Sequence, residues 1–311
     1  MPVLRINAPF GAADPVCATA CKSVENMLKG PSTGPITIML HGFRYSPYEE
    51  KHDPHAQIFA LRPRHEKRTC ISWPHHLGFG RATKEEGQCI AFGWHARGTI
   101  WQAYKQAIPA ADTLAAVITT LHHLAPNRKI NVMAHSLGAR VLLAALAKLP
   151  ENALNRIVLM AGAELSSVAQ IAMQTPAGKS CEVLNITSRE NDFYDLLIET
   201  AIAPHRPFSR SLGHGLSPAR ANWLDLQLDC ANTLAALRRQ GFPIAPPLRR
   251  ICHWSTYLRP GMFPLYRQFL HAPDSLSISD LSAACARSQS RRWSRLFTRI
   301  TRTPLLSSPK R

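Results

Sequence analysis

RKINVMAHSLGARVLLAALAKLP, residues 128–150, decides the fold. Lys129–Ala134 is a short apolar run around Ile130 and Val132 and reads as a buried strand. Gly138–Leu149 is rich in Ala and Leu, the best helix formers, and Pro150 cannot continue it. Only Ala134-His135-Ser136-Leu137-Gly138 separates the two. A strand that becomes a helix this abruptly forces its middle residue into a strained conformation. The neighbours two before and two after must be small, and here they are Ala and Gly. Ser136 is thereby expected at the carboxyl end of the strand, with a helix N-terminus behind it.

This pentapeptide resembles the nucleophile elbow of the α/β-hydrolases, usually G-x-S-x-G, with Ala134 in place of the first Gly. The resemblance implies that Ser136 is a nucleophile and that the amide of Leu137 helps to hold an oxyanion. A second segment supports it. Pro35–Leu40, PITIML, reads as a buried strand that exits into His41-Gly42-Phe43-Arg44. In α/β-hydrolases the loop after this strand lends a second backbone N–H to the oxyanion hole. The donor implied here is the amide of Phe43. His41, Gly42, His135 and Gly138 support it, Gly42 because a residue without Cβ permits close backbone approach.

Working outward, Met1–Ile6, Thr69–Trp73, Cys89–Trp94, Arg156–Met160, Glu182–Thr187 and Asn222–Leu228 read as further strands. The third of these, Cys89–Trp94, is expected beside the elbow strand, with Trp94 either a cleft wall or core. Asp14–Leu28, Ala107–Leu124, Ser166–Met173, Ala231–Arg239 and Pro264–Leu270 read as helices, with Gly98–Tyr104 a connection. The alternation implies one doubly wound α/β domain over residues 1–276, its sheet mainly parallel with helices on both faces.

Triad partners in the resembled fold follow the order Ser, acid, His. Asp192, in Ser188-Arg189-Glu190-Asn191-Asp192, leaves the strand Glu182–Thr187 where such an acid is usually placed. Glu164, at the exit of the preceding strand, is the first rival, and Asp195 the second. Among fourteen His residues, His253 is the first to follow the last expected strand. His205 and His214 precede that strand, and His271 lies beyond a further helix. The implied triad is Ser136, Asp192 and His253. The segments SRENDFYDLL, Ser211-Leu212-Gly213 and HWSTY are similar to an esterase-like bacterial branch of the superfamily. The resemblance implies a serine hydrolase acting on a small-molecule carboxylic ester or thioester without a cofactor. A catalytically idle scaffold that binds a ligand is the alternative, since function does not follow from fold.

Composition sets the remaining bounds. The 37 Lys and Arg outnumber the 20 Asp and Glu, giving +17. From Leu281 onward there are eight basic residues and no acidic one. Residues 277–311 therefore read as a basic tail without packed structure, able at most to associate weakly with anionic surfaces. No nucleic-acid motif accompanies the charge, so nucleic acid is not expected as a partner. Eight scattered Cys, with neither C-x-x-C nor H-E-x-x-H, suggest reduced thiols and no metal site. The first residues carry no charged start followed by an apolar run, and a cytoplasmic location is expected.

Overall fold

The structure is a computed structural model that describes residues 3–10, 16–64, 69–81, 86–205, 208–272, 275–285 and 290–297. Seven strands form one sheet: β1 (Val3–Asn7), β2 (Ile36–Leu40), β3 (Gln88–Gly93), β4 (Ile130–His135), β5 (Arg156–Met160), β6 (Glu182–Thr187) and β7 (Trp223–Gln227). Their order is β1-β3-β2-β4-β5-β6-β7, and every neighbouring pair is parallel. The strand expected beside the elbow strand, β3, is one place removed; β2 lies between them. Nothing in the residues of β3 distinguishes these two positions, because every strand there is buried on both faces.

Helices α1 (Val16–Leu28), α2 (Trp73–Leu77), α3 (Ile100–Leu124), α4 (Gly138–Leu146), α5 (Ser166–Ala172), α6 (Pro176–Ser180), α7 (Asp192–Ile202), α8 (Ala231–Arg239), α9 (Ser255–Leu258), α10 (Met262–His271), α11 (Ile278–Ala284) and α12 (Ser294–Phe297) complete the elements used below. Successive strand residues point to opposite faces, so each strand feeds two cores. Ile36, Ile38 and Leu40 of β2 join Val132 and Ala134 of β4 under α1, α3 and α4. Met39, Met133, Val158 and Met160 face the other way, against α2, α8, α10 and α11. Such two-sided burial is why the strands read as continuous apolar runs rather than alternating ones.

Several local expectations are corrected. Thr69–Trp73 is not a strand: Ser72 accepts from the amide of His75 and Pro74 sits in the first turn, which starts the helix α2 instead. Gly98–Tyr104 is not a plain connection. Thr99 and Gln102 form a reciprocal capping box, and α3 begins at Ile100. Trp94 is core, fully buried and stacked on His41 with ring centroids 5.6 Å apart.

The segment expected to be an unpacked tail opens with a packed helix. Ile278, Leu281 and Cys285 are buried in the second core, and Ser277 and Asp280 cap α11 reciprocally. Further on, the amide of Trp293 donates to Asp192 at 2.6 Å, and Arg292 pairs with Glu199 at 2.9 Å. Sparse apolar residues were enough because they fall on one face. Residues 298–311 of the expected tail lie outside the described residues. Cys70, Cys89, Cys181, Cys230, Cys252 and Cys285 are buried, and Cys21 is half-buried. Among the described residues no group of His, Cys, Asp and Glu could hold a metal ion, and no helix is long and apolar enough to cross a membrane.

Candidate active site

Ser136 sits between β4 and α4 with φ at +55°, a conformation that a residue with a Cβ rarely adopts. Its amide donates to Met160 at 3.0 Å, and its carbonyl accepts from Ala139 and Ala163. Three backbone bonds thus hold the strained residue in place. The room it needs is cut from its neighbours. A Cβ on Gly42 would lie 2.5 Å from the Ser136 Cβ, and one on Gly138 would lie 2.8 Å from the His41 carbonyl oxygen. Both positions therefore require glycine.

The loop after β2 is fixed by His41. Its Nε2 accepts from the Trp94 amide at 3.1 Å, so its Nδ1 carries the proton and donates to the Gly42 carbonyl at 2.9 Å. Burial lowers the His41 pKa to about 3, which keeps the ring neutral. In a trans peptide the carbonyl and the next amide point oppositely. Holding the Gly42 carbonyl on His41 therefore turns the Phe43 N–H away from that ring. Among the described residues neither the Phe43 amide nor the Leu137 amide has a hydrogen-bond partner. Two free donors at a chain turn and a helix N-terminus suit a negative charge.

The histidine segment lies across the carboxyl edge of the sheet. Cys252 donates its amide to the Glu190 carbonyl at 2.8 Å. The Arg249 amide donates to the Glu190 carboxylate at 3.1 Å, and Arg259 forms a buried ion pair with the same group. Glu190 thus ties the loop carrying His253 to the loop leaving β6. His253 is half-buried. Its ring stacks on Tyr194 with centroids 4.6 Å apart, and its carbonyl accepts from His135 Nε2 at 3.2 Å. Burial, with His135 nearby, holds the His253 pKa well below the usual value. Burial also lowers His135 to about 4.

The partner of His253 is not the residue expected. Its Nδ1 lies 2.6 Å from Asn191 Oδ1. Asp192 points elsewhere, to Arg189 at 3.2 Å and to the Trp293 amide, and burial raises its pKa. The reason is the rotation between consecutive residues of a helix, about 100° each. The chain turns at once into a short 3-10 segment at Arg189–Asn191, with Ser188 accepting from the amide of Glu190. Asn191 faces the ring, and Asp192 one step on cannot. Glu164, the first rival, is fully buried and used by Arg140 and Tyr104, each at 2.6 Å. Asp195, the second, lines the cavity without bonding His253, and burial raises its pKa to about 6.

Ser136, Leu137, Phe43, Asn191 and His253 all line one cavity of about 560 Å³, a size typical of small-molecule sites. No hydrogen bond joins Ser136 to His253 in this arrangement; such contacts are often long before substrate tightens them. The residues missed in the sequence are Asn191, Tyr194 and Glu190. Their only signal was membership of the same SRENDFYDLL run, which was read for its carboxylate alone.

A parallel sheet crossed by a serine elbow, with two free amides and a half-buried His at its carboxyl edge, defines the α/β-hydrolase class. Residues 18–182 match the model of the family described as "Alpha/beta hydrolase of unknown function (DUF900)", and the chain belongs to that family. Among solved structures it is similar to the product of gene lin2722 from Listeria innocua, with 11% identity, TM-score 0.39 and coverage of 87% of this chain and 93% of that one. It is also similar to MenH from S. aureus, with 10% identity, TM-score 0.28 and coverage of 63% and 85%. Phospholipase PlaB from Legionella pneumophila shows 15% identity, TM-score 0.27 and coverage of 53% and 41%. No curated protein matches the chain.

Proposed function

We propose that the protein is a serine hydrolase that cleaves a carboxylic ester or thioester through an acyl-enzyme, with Ser136 as nucleophile and His253 as base. The observation that carries this reading is the Ser136 elbow facing the cavity that His253 also lines, with His253 held by Asn191. The amide oxygen of Asn191 only accepts, so the neutral ring carries its proton on Nδ1 and presents a bare Nε2. That is the tautomer a general base needs.

In the first half-reaction Ser136 Oγ adds to the acyl carbon as its proton passes to His253 Nε2. The oxyanion is held by the amides of Phe43 and Leu137, with the N-terminus of α4 behind it. Collapse expels the alcohol or thiol, which takes the proton from His253. A water then repeats the sequence and releases the acid and free Ser136. Asn191 takes the place of the expected Asp192: it fixes the tautomer but brings no charge to the imidazolium.

A fluorophosphonate probe should label the wild type and leave Ser136→Ala unlabelled. Turnover of p-nitrophenyl esters should fall by about 10⁴–10⁶ in kcat in that variant. Labelling that persists at another serine, or a variant retaining a tenth of the activity, would remove Ser136 from the role. A wild type that neither reacts with the probe nor hydrolyses any ester would favour the idle scaffold.

A further inference from the structure

The outer face of α7 is unusual for a surface helix. Its exposed residues Phe193, Leu196, Leu197 and Thr200 fall at i, i+3, i+4 and i+7, one continuous stripe. Phe193 is 44% exposed and Leu197 47%. The acids of the helix that would normally solvate such a face, Asp192, Asp195 and Glu199, are all turned inward and buried. Beside it, Trp101 at the start of α3 is 55% exposed and donates its indole N–H to the Ala201 carbonyl at 2.9 Å. This pins the two helices together at the same rim.

The stripe runs directly into the candidate active site. Leu197 and Trp101 line the cavity that holds Ser136, and within it Ile100, Leu137 and Ile198 continue the apolar surface. Arg44 is the one exposed charged residue on the lining. On the loop that delivers His253, Arg249 and Arg250 are exposed just before the half-exposed Ile251. An apolar patch of this kind normally marks an interaction surface. Whatever covers it also covers the mouth. A protein seated there would close the cavity, whereas a lipid layer covers the rim and supplies an apolar substrate through it. Charge agrees, since the chain carries +17 and the exposed charged residue on the cavity lining, Arg44, is basic.

We propose that the α7–Trp101 face docks on an anionic lipid surface and that the substrate is an acyl ester drawn from that surface, its chain lying in the cavity and its anionic head beside Arg44. The substrate half rests on the hydrolase reading; the docking half does not.

The test separates the two. Full-length Ser136→Ala protein is sedimented with vesicles of phosphatidylcholine and with vesicles of equimolar phosphatidylcholine and phosphatidylglycerol. It should bind the anionic vesicles preferentially. Adding Phe193→Asp and Leu196→Asp should weaken that binding by about tenfold or more, while Ile171→Ser, an exposed apolar residue on α5, should leave it unchanged. Neither Phe193 nor Leu196 lines the cavity. With Ser136 intact, the double variant should therefore keep its rate on soluble p-nitrophenyl butyrate, which also shows that it folds, and lose rate on an ester carried in anionic vesicles. Binding that follows salt alone and ignores the double substitution would overturn the docking, as would a patch-dependent dimer in solution that binds no vesicles. Patch-dependent vesicle binding without turnover of either ester would keep the docking and remove the hydrolase.

Discussion

Asn191 presents a neutral amide oxygen to the His253 ring at 2.6 Å, inside a site whose burial already opposes a positive charge. Both features hold the imidazole neutral. The acid limb of the activity profile should accordingly fall well below the reference histidine value of about 6.5. Asn191→Asp puts a carboxylate against Nδ1, which keeps the tautomer and favours the charged ring. Its acid limb should move to higher pH. Asn191→Leu removes the acceptor, and kcat should drop by about 10² or more, because the wrong tautomer becomes accessible. Asp192→Asn, by contrast, should change kcat little, since that carboxylate faces Arg189 and the Trp293 amide. A pH–rate series on these three variants checks the assignment. A severe loss in Asp192→Asn with a normal Asn191→Leu would restore the carboxylate as the partner of His253.

At the scale of elements, the loop leaving β6 and the loop carrying His253 are joined by one buried pair, Glu190 with Arg259. Both side chains are nearly fully enclosed, and Arg259 also donates to the Leu228 carbonyl at 2.6 Å. Removing one partner leaves a buried charge without compensation, which typically costs about 3–5 kcal/mol. Glu190→Ala should lower the urea midpoint accordingly, and removing the whole segment after Ser279 should do so too by stripping Leu281 and Cys285 from the core. A truncated protein as stable as the full chain would show that α11 adds nothing. These elements also mark where the sequence was readable. The elbow announced itself because strand, small residues and helix are consecutive, and two-sided burial made β2, β4, β5 and β6 legible as apolar runs. The start of α3 was missed because its capping box, Thr99 with Gln102, lies in a stretch that reads as a connection. The partner of His253 was missed for a different reason. Composition favours a carboxylate, but which residue of Glu190-Asn191-Asp192 faces the ring depends on helical phase, and one residue's rotation is invisible without coordinates.

For the molecule as a whole, the unusual quantity is the number of histidines buried in neutral form. Burial lowers His41 to about 3 and His55, His135 and His271 to about 4, and it holds His253 well below its ordinary value. Unfolded, each would take up a proton near pH 6.5. As pH falls from 7 toward 4 the unfolded chain therefore binds protons that the folded one refuses, and stability must fall. Buried carboxylates pull the other way: Asp195, raised to about 6, with Asp192 and Asp225 raised as well, keeps its proton in the fold to higher pH than in the open chain. These carboxylates contribute stability that is present at low pH and lost as pH rises through their folded values. They offset part of the loss, Asp195 most directly since it titrates near pH 6, but the five histidines outnumber the three carboxylates. The expected result is a urea midpoint that declines from pH 7.5 to pH 5. His271 is a suitable probe, because its ring meets Thr37 Oγ1 at 2.9 Å on α10, outside the candidate site. His271→Gln retains a polar partner for Thr37 and removes one titrating group. Its stability should depend on pH less steeply, by up to about 1.4 kcal/mol per pH unit, the share of one proton. A midpoint that stays level between pH 7.5 and pH 5 in the wild type would mean that these rings charge within the fold.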